Sequence, residues 1–241
     1  MFKLRSNQAE LLDKPTNLVE ADLIENLKEF EPINRWLGSV GTVKNAFKKI
    51  SNRYNLGKNV FLSKKITVAD LGCGGGDLLR AMDGWCKDLL NNYHLYGIDN
   101  NPTTVGYAIS KSLKYSNMSF ITEDILSKGF QERQFDIITL NNCCHHLSND
   151  EFVALLPALK KQARLAIIIN DLQRSPIAYY GFIMLSKIFN FSYLARHDGP
   201  LSVLRGFQRL ELIHLLKQSG IHNFDIEWRW AFRWQVIIWC K

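Results

Sequence analysis

The sequence lacks both a regular cysteine pattern and a long apolar run, and each absence excludes a class of protein. Its five cysteines are an odd number without C-x-x-C spacing, which argues against a disulfide framework. The longest apolar run, residues 176–185, is far shorter than the roughly 18 residues of a membrane span. Residues 1–15 contain no apolar stretch of the signal-peptide type. A reducing cytoplasm is therefore the expected compartment, with peripheral membrane contact left open.

A long basic run is also missing, although the formal net charge is +7. The lysines and arginines form small clusters separated by acidic residues, such as Lys44, Lys48 and Lys49, and later Lys160 and Lys161. Strong binding to nucleic acid requires many cations that face the phosphates together. A nucleic-acid partner is therefore not expected.

The chain shows no internal repeat, and its 241 residues suit one α/β domain with a helical addition. Apolar residues recur at helical spacing before residue 54, which predicts a helical cap over residues 1–60 ahead of a main domain over residues 61–241. The residues that carry this pattern are Leu18, Leu23, Ile24, Leu27, Phe30, Val40, Val43, Phe47 and Ile50.

From Ile66 onward, short β-branched runs alternate with helical patterns, as in a parallel sheet with helices on both faces. Two further runs at the end are joined too tightly for a helical crossover and predict an antiparallel hairpin. The predicted fold is thus an α/β, mostly parallel, seven-stranded sheet. Its predicted strands are residues 66–71, 94–98, 118–121, 135–140, 164–169, 223–229 and 232–239, and its helices lie near 77–90, 103–113, 150–162 and 207–218.

The strongest chemical signal is a glycine loop that follows the first predicted strand. Asp70, Gly72, Gly74 and Gly76 fit D-x-G-x-G-x-G, whereas a dinucleotide site would need glycine at Asp77. Glycine permits positive φ and close approach of a ligand to the backbone, and the N-terminus of the next helix offers unpaired N–H groups. A purely structural turn is the alternative interpretation.

These residues resemble motif I of class I S-adenosylmethionine-dependent methyltransferases, and the order of elements over residues 66–239 is similar too. The resemblance implies a Rossmann-like fold and S-adenosylmethionine as the cofactor. It places Gly72, Cys73, Gly74 and Gly76 under the methionyl part of the cofactor and Asp70 near its amino group.

Other predicted cofactor contacts follow the ends of later strands. Asp99 has a carboxylate that can accept hydrogen bonds from both ribose hydroxyls, unless it only caps the next helix. The resemblance implies that Asp124 meets the adenine amino group and that Ile125 packs on the ring. Asn100 and Asn141, at the same sheet edge, complete the predicted set.

The fourth predicted strand leads into Cys143, Cys144, His145 and His146. A His-His-Leu segment here resembles small-molecule methyltransferases, and the Asn-Pro-Pro-Tyr run of nucleic-acid enzymes is missing. His145 or His146 is a candidate general base, or both only pack beneath the cofactor. Four adjacent residues do not easily converge on one tetrahedral ion, so no metal site is predicted.

Residues 172–206 are predicted to form a lid insertion whose apolar first part covers the acceptor, or else packs in the core or in a dimer. Residues 196–207 are expected to be a polar, turn-rich segment in which Asp198 contacts substrate or accepts a local backbone hydrogen bond. Further candidate bases are Asp171 and His197. Candidate acceptor contacts are Arg174, Tyr179, Tyr180 and Asp198.

The resemblance implies methyl transfer from S-adenosylmethionine to a small, largely apolar acceptor, such as a phenol, a quinone or a polyketide-like metabolite. Two alternatives stay open: a nucleic-acid or protein methyltransferase, suggested by the basic charge, and a non-catalytic cofactor-binding scaffold. The sequence makes no prediction of the oligomeric state.

Overall fold

A computed structural model describes residues 1–13, 19–56, 65–90 and 92–241 of the chain. Leu18 and the last residues of the predicted cap, 57–60, lie outside these ranges. The seven predicted strands are all present: β1 Ile66–Leu71, β2 Tyr93–Asp99, β3 Met118–Thr122, β4 Phe135–Asn141, β5 Ala163–Leu172, β6 Phe224–Arg229 and β7 Arg233–Trp239.

The strands form one sheet with the order β3-β2-β1-β4-β5-β7-β6. Strands β1 to β5 are parallel to their neighbours, whereas β7 lies antiparallel between β5 and β6. The predicted mostly parallel sheet with an antiparallel hairpin at its end is confirmed. The chain runs outward from β1 to β3 and then returns to β4, so a crevice opens at the carboxyl ends of β1 and β4, where open α/β sheets bind ligands.

The helices are α1 Glu20–Trp36, α2 Ser39–Tyr54, α3 Asp77–Leu89, α4 Pro102–Ser112, α5 Lys128–Gln131, α6 Asn149–Gln162, α7 Pro176–Ile188, α8 Tyr193–Arg205 and α9 Arg209–Gln218. Helices α2 and α3 cover one face of the sheet, and α6 and α9 cover the other. No helix in the described ranges is long and apolar enough to cross a membrane.

Helix α2 packs directly on the sheet because its apolar side chains share one face. Val43, Ala46, Phe47 and Ile50 follow the i, i+3, i+4, i+7 pattern, and all four are fully buried in the same core cluster as residues of α3, β5 and β7. Burying each of these larger side chains stabilises the fold by roughly 1.5–3 kcal/mol. Helix α2 therefore shares a core with the sheet, and the domain boundary at residue 60 stays a prediction.

The expectation of a turn-rich segment at residues 196–207 is wrong, because most of that segment belongs to helix α8. The Ser192 side chain accepts a hydrogen bond from the Ala195 N–H and caps the helix, even though Pro200 lies inside it. The buried Leu194, Leu201 and Val203 anchor α8 beneath α7. Tertiary packing thus overrides the weak helical propensity of the His-Asp-Gly-Pro sequence.

Candidate active site

Two cavities share the crevice at the carboxyl ends of the central strands. The smaller one, of about 210 Å³, lies between the glycine loop, α1, the histidine pair and α8. The larger one, of about 1230 Å³, is a cleft along the residues that follow β2 and β3. Gly72 and Gly74 line both cavities, so the two cavities meet at the glycine loop and form one continuous site.

The glycines of the loop are required by backbone conformation and by close packing. Gly72, Gly74 and Gly76 have φ values of 69°, 52° and 74°, in the left-handed region that favours glycine. A Cβ on Gly72 would lie 2.9 Å from Cys143 Sγ, and one on Gly76 would lie 2.8 Å from the Phe120 ring. Gly76 lines neither cavity, so its role is to shape the loop.

Asp99 ends β2 and faces the larger cleft. Its Oδ2 accepts a hydrogen bond from the Gly74 N–H, and its Oδ1 accepts one from the Asn101 N–H, both at 3.0 Å. Helix α4 is capped by Asn101, whose Oδ1 accepts from the N–H groups of Thr103 and Thr104, so the interpretation of Asp99 as the helix cap is wrong. Burial raises the pKa of Asp99, and the carboxylate is fixed beside the loop.

Asp70 lies at the floor of the smaller cavity and is 1% exposed. The Thr139 hydroxyl donates a hydrogen bond to its Oδ1 at 2.6 Å. Burial, reinforced by the charges of Asp77 and Asp99, raises the pKa of Asp70 to about 8. A cationic group bound beside Asp70 would relieve this penalty, which suits the amino group of a methionyl ligand.

The remaining predicted cofactor residues also face the crevice. Asn100, Asp124 and Ile125 line the larger cleft, and Cys73 and Asn141 line the smaller cavity. These residues can therefore hold a nucleoside in the cleft and its amino-acid end in the cavity.

The predicted histidine pair lies in a single 3-10 turn, Cys144–His146, at the wall of the smaller cavity. His145 Nδ1 is 2.7 Å from Asp171 Oδ1, and the His145 N–H donates to Asp171 Oδ2. His146 Nδ1 is 2.8 Å from Asp13 Oδ1. A carboxylate at Nδ1 places a proton there, and the Nε2 atom of each imidazole faces the space around Glu10.

Glu10 completes this cluster, and sequence reasoning missed it. Its side chain is 2% exposed, and burial raises its pKa to about 7. Glu10 Oε1 lies 3.8 Å from His145 Nε2, and Glu10 Oε2 lies 3.9 Å from His146 Nε2. No motif surrounds Glu10, and more than a hundred residues separate it from the histidines, so the sequence offers no signal for the contact.

The N-terminal segment, residues 1–13, is held in place by side chains of the main domain. Asp198 accepts hydrogen bonds from the Leu11 and Leu12 N–H groups at 2.9 and 3.1 Å, and the Arg205 guanidinium donates to the Gln8 carbonyl and to Asp13. Asp198 therefore binds distant backbone, and the expectation of a purely local hydrogen bond is wrong. It also lines the smaller cavity, but its carboxylate is occupied by this segment.

Several predicted catalytic or acceptor residues lie outside both cavities. Asp171 is fully buried and positions His145, and His197 hydrogen-bonds to Asp198. Neither residue lines a cavity, so the prediction that Asp171 or His197 is the general base is corrected. Each residue instead supports a neighbouring side chain.

The prediction that Arg174, Tyr179 and Tyr180 contact the acceptor is also corrected. The buried Arg174 guanidinium donates to the carbonyls of Phe2 and Gly206 and pairs with Glu211. Tyr179 and Tyr180 pack edge-on against the Phe2 ring, and Tyr180 is 61% exposed. Arg174 and Tyr179 thus hold the N-terminal segment, and Tyr180 lies largely exposed beside it.

Apolar side chains from several helices cover the smaller cavity. Helix α1 contributes more lining residues to this cavity than any other helix, and α7 contributes Phe182. The sequence did not indicate the contribution of α1. Asn34 of α1 donates a hydrogen bond to Asp77 at the start of α3 and accepts one from Asn142. Together with Leu78 at the start of α3, the apolar lining is formed by Leu12, Leu27, Phe30, Ile33, Leu37, Leu172, Phe182 and Val203.

Comparison with known proteins agrees with this geometry. Residues 62–174 match a family described as "Methyltransferase domain". The ubiquinone biosynthesis O-methyltransferase of Paraburkholderia phytofirmans is 25% identical over 168 residues, which cover 67% of this chain and 66% of that enzyme. The chain thus spans slightly less than two thirds of this curated relative.

Solved structures share the fold at low sequence identity. Human N-acetylserotonin methyltransferase in complex with SAM superposes with a TM-score of 0.61 at 16% identity, covering 92% of this chain and 56% of that one. Magnesium protoporphyrin IX methyltransferase of Synechocystis PCC 6803 with bound SAH gives a TM-score of 0.52 at 21% identity, covering 83% of both chains. The predicted resemblance is confirmed: the chain shares the fold of these methyltransferase structures, and residues 62–174 match a methyltransferase domain.

Proposed function

We propose that the chain is an enzyme that transfers a methyl group from S-adenosylmethionine to a hydroxyl of a small, largely apolar acceptor of the phenol, quinone or polyketide type. One observation carries this proposal: the cleft beside Asp99 opens into an apolar cavity that ends at His145 and His146. The name of the ubiquinone biosynthesis O-methyltransferase relative supports an acceptor of this class.

The lining of the smaller cavity, and the limited room left in it beside the cofactor's amino-acid end at Asp70, favour a small acceptor. At about 210 Å³, it is below the range of about 300–1,000 Å³ for pockets that hold drug-sized ligands. Its walls are mainly leucine, isoleucine and phenylalanine side chains, so an aromatic ring binds there by burial of apolar surface. The polar wall at the histidines gives such a ring one defined orientation, with its hydroxyl toward His145 and His146.

Each group of the cofactor has a partner of matching chemistry in the crevice. Asp99 would accept hydrogen bonds from the ribose hydroxyls, Asp70 would receive the amino group, and Asp124 and Ile125 would contact adenine. The sulfonium supplies an electrophilic methyl group. The protein then has to align the acceptor and exclude water, and positioning of this kind contributes roughly 7–11 kcal/mol in well-oriented reactions.

The acceptor's hydroxyl is activated at the histidine pair. Asp171 and Asp13 hold the two imidazoles by Nδ1, so Nε2 is the atom that faces the acceptor. As a free imidazole, His145 or His146 would accept the hydroxyl proton at Nε2, and the adjoining carboxylate would stabilise the imidazolium. A phenol with a pKa near about 10 requires such help at neutral pH.

The experiment that tests this function combines binding with turnover. Calorimetry with S-adenosylhomocysteine is expected to show one site per chain. Incubation with labelled S-adenosylmethionine and a panel of phenols and hydroquinones is then expected to give O-methylated products. Binding without any turnover across the panel would favour a scaffold, and transfer of label to RNA or protein instead would favour a macromolecular acceptor.

A further inference from the structure

Three groups with lone pairs converge at one point in the wall of the smaller cavity. One nitrogen of His145, one nitrogen of His146 and a carboxylate oxygen of Glu10 all lie within 4.8 Å of one another. The Nε2-to-oxygen distances of 3.8 and 3.9 Å exceed the range of a hydrogen bond. The groups face each other without bonding to each other.

Few proton donors lie near these groups, and the Ser202 hydroxyl beside Glu10 is one of them. Both imidazoles have Nδ1 directed at a carboxylate, so their Nε2 atoms are acceptors. Glu10 Oε1 is buried and has no hydrogen-bond partner in the described part of the chain. The nearest cation is Arg205, whose Nε lies 3.8 Å from that oxygen. A buried acceptor without a donor is costly, and a bound cation would remove this cost.

We propose that Glu10, His145 and His146 bind a divalent transition-metal ion of the Zn²⁺ type. Bonds of 2.0–2.1 Å place tetrahedral ligand atoms about 3.4 Å apart. The ligand atoms now lie within 4.8 Å of one another, so metal binding requires side-chain shifts of up to about 1.4 Å. Two histidines and one carboxylate are a ligand set of catalytic zinc sites, which leave a fourth position open. That position would face the smaller cavity, which all three residues line.

The groups behind the ligands support this assignment. Histidines that bind metals usually donate the other ring N–H to a carboxylate, and both histidines do so here, toward Asp171 and Asp13. Three guanidinium groups balance the carboxylates of Glu10, Asp13 and Asp171: Arg205 faces Glu10 and Asp13, and Arg5 and Arg233 act on Asp171. The support for the site therefore comes from the two carboxylates at Nδ1 and not from net charge.

The role of the ion rests on the proposed function. The acceptor's hydroxyl oxygen would occupy the open position, where coordination lowers its pKa, as it lowers that of bound water to about 7. Its proton leaves to solvent, and an oxygen lone pair forms the bond to the methyl carbon. The carbon–sulfur bond breaks with its electron pair on sulfur, which gives the methyl ether, the neutral thioether and one proton. The ion then replaces the free imidazoles as the activating group.

Metal titration of the full chain tests the site without relying on activity. After treatment with a chelator and its removal, we expect the protein to bind one equivalent of Co²⁺, with the visible absorption bands of a tetrahedral nitrogen–oxygen site. Zn²⁺ is expected to displace Co²⁺. The variants Glu10→Gln and His146→Ala should weaken Co²⁺ binding by 10-fold or more, whereas the exposed-site variants Glu25→Gln and His222→Ala should not change it.

Each outcome decides for or against the site. Lack of stoichiometric binding at micromolar Co²⁺, or binding unchanged in both ligand variants, would overturn it. An intense thiolate charge-transfer band would also overturn it, because cysteine would then be a ligand. Equal affinity of all variants for S-adenosylhomocysteine would show that they are folded. If the protein binds no metal but still transfers methyl groups, the metal site is overturned and the proposed function is supported. If it binds the metal but shows no methyl transfer, the metal site is supported and the proposed function is overturned.

Discussion

The two halves of the crevice are built in different ways. The cofactor half comes from the ends of β1, β2 and β3 and the turns after them, where each functional residue directly follows a strand. The acceptor half joins the N-terminal segment, α1, the histidine turn and α8, which are far apart in sequence. Local backbone geometry therefore fixes the first half, whereas the second depends on a few long-range contacts through Asp198, Arg205 and Arg174.

The largest expected effect is on chemistry in the acceptor half. His146→Ala should lower the single-turnover rate of methyl transfer by about 10²–10⁴-fold, because it removes one of two groups that face the acceptor's hydroxyl. Affinity for S-adenosylhomocysteine should stay unchanged. The matched control is His197→Ala, since the His197 side chain lines neither cavity. An equal loss of rate in His146→Ala and His197→Ala would contradict the role of His146 in activating the acceptor's hydroxyl.

A large effect on affinity is expected in the cofactor half. Asp99→Asn removes the charge that would receive two ribose hydroxyls, and hydrogen bonds to charged groups contribute roughly 1.5–3 kcal/mol each. Calorimetry should show S-adenosylhomocysteine binding weakened by about 100-fold. Asp88→Asn, at an exposed carboxylate of α3, is the control. Unchanged affinity of the Asp99→Asn variant for S-adenosylhomocysteine would contradict the proposal that Asp99 binds the ribose hydroxyls.

An intermediate effect is expected at the contact that joins the N-terminal segment to α8. Asp198→Asn loses the charge that accepts the Leu11 and Leu12 N–H bonds and should lower the free energy of unfolding by roughly 1–3 kcal/mol. Glu10 lies in the N-terminal segment that this contact holds against the histidine pair. Loosening the contact should therefore lower the rate of methyl transfer by about 10–100-fold, with cofactor affinity retained. A parallel fall in cofactor affinity would show that the two halves are coupled.

A smaller, pH-dependent effect is expected at Asp70. Its pKa of about 8 in the folded protein exceeds that of an unfolded aspartate, so its contribution to stability is present at low pH and is lost as pH rises toward 8. Binding of the cofactor's amino group at pH 7 should favour the carboxylate and release up to about one proton. Calorimetry in buffers of different ionisation enthalpy measures this release, which should disappear in Asp70→Asn.

The smallest effect is expected on the outer face of α7. Tyr180→Ser should leave KM and kcat unchanged and alter stability by no more than about 0.5 kcal/mol, because Tyr180 is 61% exposed and lies outside both cavities. Phe182→Ala provides the contrast, since Phe182 lines the smaller cavity and its loss should raise KM. Steady-state kinetics on the same acceptor compares them.

The same contrast explains how far the sequence could be interpreted. The strands and the residues after β1, β2 and β3 were predictable because short β-branched apolar runs and glycine spacing are local signals. Glu10 was not predictable, since its burial depends on Asp198 and Arg205 holding a segment with no apolar pattern of its own. Helix α8 was missed because Gly199 and Pro200 are helix breakers, whereas burial of Leu194 and Leu201 and the Ser192 cap stabilise it.

A crystal structure with S-adenosylhomocysteine tests the central claim most directly. The account predicts ribose hydroxyls within hydrogen-bond distance of the Asp99 carboxylate, with the sulfur directed into the cavity walled by His145 and His146. Ligand bound elsewhere, or a sulfur atom turned away from the histidines, would contradict it.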